Sequence, residues 1–372
     1  MLGHGFRLLV GVVIAMSILT AGVSAQAANH SKSILFINPG YQDKGFWKAV
    51  TDTMRAAASH FGYQLHVVSG DRKWPLMLSR GLDAINTVNA DYIVLVNEHQ
   101  QAPALMKAAE ERKTPYLLML NNLTEEQEKA WGGPREKLKH WLGTITPDNE
   151  IAGYEMALSL EQHASKRRGQ DNTIPLLTLA GDYKTPASIS RLAGLERALA
   201  DSSALIEKRR ITVNWSEEEA YERTSIYLRA NDVGAIWAAN DNIATGAIRA
   251  IREAGKTAGK DIVVAGLNWS TAGIRAVIDG TMTLTHGGHF LAGAWSVVVI
   301  HDHNQGRDFV DIAKHLSFPM SAITRENAAR YLTHFRNEDW SKINFSKFSR
   351  ADNTALRDYP FNLQTILSAV EK

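Results

Sequence analysis

From residue 33 onward, short apolar runs alternate with segments of helical periodicity, and the alternation runs through twice. Residues 33–38 (SILFIN), 64–68, 92–96 (YIVLV), 116–120 (YLLML) and 141–145 read as strands. Residues 46–61, 76–88 and 102–112 between them read as helices. The pattern restarts at 149. Helices are expected at 149–162, 188–199, 217–228, 271–278 and 293–301, and strands at 174–180, 206–213, 233–239, 261–267 and 282–285. Strands separated by helices of about 10–15 residues pair in parallel, with helices on both faces. The expectation is an α/β chain with two doubly wound parallel-sheet lobes. Residues 28–146 plus 286–315 form the N-terminal lobe, and 147–285 plus 316–372 form the C-terminal lobe. No sequence-level repeat relates them. Residues 121–138, polar and containing Gly and Pro, read as a long surface loop. Beyond 316 the periodicity fades into a mixed polar and aromatic tail.

The first 25 residues read as a signal peptide. Arg7 precedes an apolar run from Leu8 to Gly22, then the small residues Val23-Ser24-Ala25. Cleavage is expected after Ala25, or else after Ala27. With 372 residues, 45% hydrophobic and 22% charged, the remainder can bury two cores. A net charge of +2 implies no polyanion partner. There are no cysteines, which excludes a lipoprotein anchor, disulfides and thiolate metal sites. A soluble periplasmic protein and a monomer are expected.

The stretch 231–255 (NDVGAIWAANDNIATGAIRAIREAG) joins an apolar strand to an amphipathic helix through Asn240-Asp241-Asn242. In open parallel sheets, ligands sit beyond the carboxyl ends of the strands, against helix N-termini. Asn240 and Asp241 therefore read either as ligand contacts or as an ordinary N-cap.

The same residues carry a resemblance. NDNIATGA resembles the Asn-Asp-x-x-Ala-x-Gly-Ala turn of the type I periplasmic solute-binding proteins. VVAGLN, ending at Asn268, resembles the family strand that ends Gly-Phe-Asp. GTMTLTHGGH resembles its crossover strand, and LGTITPDNEIAGYEMA its lead into the second domain. The match covers about residues 33–303. It implies two lobes joined by a three-strand hinge that close on a small molecule. PGYQDKGFW, residues 39–47, is similar to the first loop of the quorum-sensing autoinducer receptors, a sensory branch of the family. That likeness implies ligand roles for Gln42 and Trp47, with Lys44 standing where the branch has Ser. It carries Asn122 and Arg191 onto ligand positions too. Leu267 and Gly288 replace a second ligand Trp and Arg, so a small polyhydroxylated ligand is expected rather than the autoinducer itself. The family's DNA-binding relatives carry a helical head where this chain has its leader, so no nucleic-acid partner is expected.

Each candidate also has a bland reading. Phe46 and Trp47 follow Gly45 at a strand-to-helix turn, where rings can stack on a sugar or simply join the core. Arg191 offers forked donors for hydroxyls, or forms a surface ion pair. Asp241 and Asn268 end neighbouring strands, where carboxylate and amide groups select hydroxyls. Asn268 in place of the family's Asp disfavours a cation. Trp237 reads as core and Trp269 as rim. His286 and His289 flank two glycines and read as hinge or ligand hydrogen-bonders. A metal needs three or four convergent ligands, and neither metal nor cofactor is expected. Gly255-Lys256-Thr257 lacks the upstream glycine and strand of a phosphate loop. With no nucleophile–base pair in view, the chain reads as a binding protein rather than an enzyme. The expected partner is an ABC importer permease or, alternatively, a membrane sensor kinase or cyclase.

Overall fold

In the computed structural model, which describes residues 1–2, 31–164 and 172–370, the strands sort into two sheets of the same order. The first holds β1 (Ser33–Asn38), β2 (Gln64–Ser69), β3 (Tyr92–Leu95), β4 (Tyr116–Met119), β5 (Trp141–Pro147) and β11 (His315–Phe318), arranged β2-β1-β3-β4-β5-β11. The second holds β6 (Ile174–Ala180), β7 (Leu205–Thr212), β8 (Ala235–Ala238), β9 (Val263–Leu267), β10 (Leu284–Gly287) and β12 (Ser321–Ile323), arranged β7-β6-β8-β9-β10-β12. All pairings are parallel except β10 with β12. The halves thus repeat in topology without repeating in sequence. Each order reverses after its first strand, between β1 and β3 and between β6 and β8. Those are the switch points where α/β sheets open a crevice.

The helices follow the apolar periodicity. α1 (Gly45–Phe61), α2 (Trp74–Thr87) and α3 (Ala102–Glu111) cover the first sheet. α5 (Asn149–Ala164), α6 (Pro186–Asp201), α7 (Glu217–Leu228), α8 (Asp241–Glu253) and α9 (Thr271–Ile278) belong to the second half. Central strands such as β1 and β3 are buried at every position, as strands covered on both faces must be. α10 (Ala292–Asn304) is buried from Ala292 to Asp302 and fills the first core beside α1.

Among the described residues the chain crosses between the sheets three times, each time briefly. It leaves β5 at Pro147 and starts α5 at Asn149. It leaves β10 at Gly287 and starts α10 at Ala292. It leaves β11 at Phe318 and starts β12 at Ser321.

Three expectations need correction. The loop expected at 121–138 contains α4 (Glu125–Trp131), begun by a capping box between Thr124 and Gln127. The boundary expected at His286 is displaced, because His286 and Gly287 still pair in the second sheet. The tail, expected with the second lobe, divides instead. β11 pairs with β5 and only β12 joins the second sheet, while Trp340, Phe345, Phe348, Phe361 and Ile366 pack into the first core. The tail helices α11 (Ala328–Phe335) and α12 (Leu363–Val370) carry apolar stripes onto it. Of the signal peptide expected at 1–25, residues 3–25 lie outside the described residues. Among the described residues no helix is long and apolar enough to cross a membrane.

Candidate functional site

The carboxyl ends of both sheets face a common cavity of about 380 Å³. The first half contributes Tyr41 and Lys44 through Trp47 after β1, Arg72 after β2, Glu98 after β3, and Leu120 and Asn121 after β4. The second half contributes Thr185, Ala187 and Arg191 after β6, Trp215 after β7, Asn240 and Asn242 after β8, and Asn268 after β9. Pro147, Asn149 and His289 come from two of the crossings. Several of these positions have left-handed backbone without being glycine: Arg72 (φ 61°), Leu120 (φ 67°), Trp215 (φ 61°) and Asn268 (φ 153°). Such residues cost about 1–3 kcal/mol each and persist where surrounding structure fixes them, typically at ligand sites.

Arg191 sits at the centre of the polar side and is 3% exposed. Its Nε donates to Asn149 Oδ1 (2.9 Å), its Nη1 to the Ala239 carbonyl (2.8 Å), and its Nη2 faces His289 Nε2 at 3.3 Å. A guanidinium carries five N–H donors, so two stay unassigned by these contacts. Burial pulls its pKa down to about 9, against the favourable charge of Asp241, so it is cationic at neutral pH. Burial, the Arg191 charge and His286 push the His289 pKa well below 6.5. His289 is therefore neutral, and its Nε2 accepts from Arg191.

Aromatic rings form the apolar side. Phe46 stacks on the His289 ring at 4.5 Å and meets Trp47 edge-on at 5.3 Å. Trp215 lies under the Arg191 guanidinium at 5.7 Å and donates its indole N–H to Asp182 Oδ2 (2.6 Å). Two glycines make room for the rings. A Cβ on Gly40 would run into the Trp47 ring, and one on Gly181 into the Trp215 ring. Each glycine lies just past a strand end, so close backbone approach sets where the aromatic face points.

The charges in the wall are largely balanced. Glu98 is buried, and burial raises its pKa while Arg72, 3.4 Å away, opposes the rise. Lys44 lies over the Tyr41 ring (4.3 Å) at the exposed rim.

Six of the residues proposed from the sequence line this cavity: Phe46, Trp47, Arg191, Asn240, Asn268 and His289. Asn240 serves both readings, since its Oδ1 also caps α8 by accepting the Ile243 N–H (2.9 Å). Three do not line it. Gln42 is exposed and turns away to the Val67 carbonyl (3.4 Å). Asn122 points back to α4 and β5, donating to Glu128 and accepting from Thr144. Its neighbour Asn121 takes the cavity position and accepts the Ala187 N–H across the cleft (3.2 Å). Asp241 is fully buried behind the cavity. It accepts from Ser270 N (2.9 Å), Ser270 Oγ (2.7 Å) and Thr285 Oγ1 (2.8 Å). Burial raises its pKa to about 6, against those hydrogen bonds and the Arg191 charge. It ties the starts of α8 and α9 to β10, and supports Arg191 electrostatically. His286 likewise stays out of the cavity and pairs with Glu155 (2.7 Å). Trp237 is core, and Trp269 packs beside the cavity rather than in it.

Arg72, Glu98, Asn149 and Trp215 were not singled out by sequence reasoning. Each follows a strand end, and applying the strand-end rule to every strand would have found them.

Residues 34–308 match the family described as periplasmic binding protein domain. The ribose import binding protein of Salmonella typhimurium is 25% identical over 276 residues, covering 72% of this chain and 82% of that one. A xylitol-binding protein of Mycolicibacterium smegmatis is 22% identical, covering 69% and 68%. A periplasmic sugar-binding protein from Pseudomonas fluorescens superposes with a TM-score of 0.80 at 28% identity, covering 90% of this chain and 99% of that one.

Proposed function

The chain belongs to the periplasmic binding protein family, and from that premise we propose that it is an exported receptor for a neutral sugar or polyol. The ligand sits in the cleft between the lobes and is handed to an inner-membrane ABC importer. The carrying observation is the pairing of a fixed Arg191 fork with the rings of Phe46, Trp47 and Trp215. A sugar presents hydroxyls to such a fork and C–H faces to such rings. The charge balance supports neutrality, with Arg191 backed by Asp241 and Arg72 beside Glu98. The relatives named for ribose, xylitol and sugar point to the same ligand class. The sensory alternative loses support, since Gln42 and Asn122, two positions that suggested it, turn away from the cavity.

A thermal-shift screen of pentoses, hexoses and polyols tests the reading. A ligand at one hundred times its Kd stabilises the folded chain by about 2.7 kcal/mol, and the melting temperature rises. At least one neutral sugar or polyol is expected to do so. A screen in which none does, while amino acids or organic anions do, would refute the assignment.

A further inference from the structure

Beside the cleft cavity lies a second one of about 580 Å³. Gly45, Phe46, Asn242 and Asn268 stand in the walls of both. The two therefore meet along the start of α1 and the ends of β8 and β9. The outer wall of the second cavity comes from the tail, with Tyr331 and Phe335 of α11 and Trp340 just beyond, facing Trp269 and Phe290. Ring centroids lie 5.2 Å apart for Trp269 and Tyr331, 5.1 Å for Phe290 and Trp340, and 5.0 Å for Phe335 and Trp340. The Trp269 indole N–H is used, donating to the Ser321 carbonyl (2.8 Å). The Trp340 indole is not. Trp340 is 4% exposed, and its N–H is buried without a hydrogen-bond partner among the described residues. The wall of this cavity also holds Lys48, Arg275, Arg336 and Glu338, so beside the rings it suits a ring-shaped group that carries hydroxyls or acceptor oxygens.

We propose that the second cavity is a subsite for the substituent of a glycoside. The sugar ring occupies the cleft, and a second ring, attached through the glycosidic oxygen, reaches past Phe46 into the aromatic cavity. This inference rests on the sugar-binding reading above and narrows its ligand class to glycosides with a ring-sized substituent.

Calorimetric titration of the full chain with methyl and phenyl glycosides of ribose, arabinose and galactose, in both anomers, tests it. At least one phenyl glycoside is expected to bind about fivefold more tightly than its methyl counterpart. Thr271→Trp places an indole at the exposed first residue of α9, on the wall of the second cavity. It should abolish the phenyl advantage while the methyl glycoside binds as before. The subsite is overturned if no phenyl glycoside binds more tightly than its methyl partner, or if Thr271→Trp leaves the advantage intact. If none of these glycosides binds while a free sugar or polyol raises the melting temperature, the subsite is overturned and the sugar reading stands; if no sugar or polyol of any kind binds, both fall.

Discussion

Arg191 is oriented before any ligand arrives, by Asn149 at one crossing, the Ala239 carbonyl at a strand end, and His289 at another crossing. A fork held in advance loses little side-chain entropy on binding. The arrangement requires a neutral His289, and that gives a pH signature. The folded-state pKa of His289 lies well below 6.5, so below pH 6.5 the unfolded chain takes up a proton that the folded chain refuses. Stability from this group is present above pH 6.5 and is lost as pH falls. Asp241 works in the opposite direction. Its folded-state pKa is about 6 against an ordinary 3.8, so its contribution falls as pH rises between those values. His289→Gln isolates the first effect: from pH 6.5 down to 5 its melting temperature should fall less than that of the unaltered chain. Equal falls would remove His289 from the account. At this scale the sequence marked residue types better than directions. Phe46 and Trp47, expected from the strand-to-helix turn, and Arg191, expected from the family resemblance, all line the cavity. Asn122 does not, because a neighbouring left-handed residue, Leu120 (φ 67°), turns the chain so that Asn121 faces the cleft instead.

Among the elements, the alternating strands and helices were legible almost throughout, since each buries one apolar face at its own period. The tail was not, because its order comes from distant anchors rather than local periodicity. The principal anchor is Asp302, fully buried near the end of α10. Its carboxylate accepts from Ser349 Oγ (2.5 Å), Arg350 N (2.7 Å), Ala351 N (3.2 Å) and Tyr359 Oη (2.9 Å). No pattern within 319–372 announces a partner that far upstream. Asp302→Ala leaves those buried donors without an acceptor and should cost about 3 kcal/mol. It should also open residues 340–370 to trypsin under native conditions. An unchanged urea midpoint with an equally resistant tail would show that the tail is held by its aromatic packing alone. α4 was missed for a different reason. Its seven residues carry no buried side chain, so only the Thr124-x-x-Gln127 capping box could have revealed it.

For the whole molecule, three short crossings join two sheets of identical order, and the cavity walls come from both sides. A hinge of this kind lets the lobes close over a ligand and exclude water. In the function proposed above, closure would bring the Arg191 fork and the aromatic faces onto one small molecule at once, which is the central claim. It is tested most directly by calorimetric titration of the unaltered chain and of Arg191→Lys with the sugar giving the largest thermal shift. Lysine keeps the charge but not the planar fork. The expected result is one site per chain in the unaltered protein and at least tenfold weaker binding in Arg191→Lys, a loss of about 1.4 kcal/mol or more. Equal affinity in a folded Arg191→Lys protein would contradict the account, because the ligand would then lie somewhere other than against this fork.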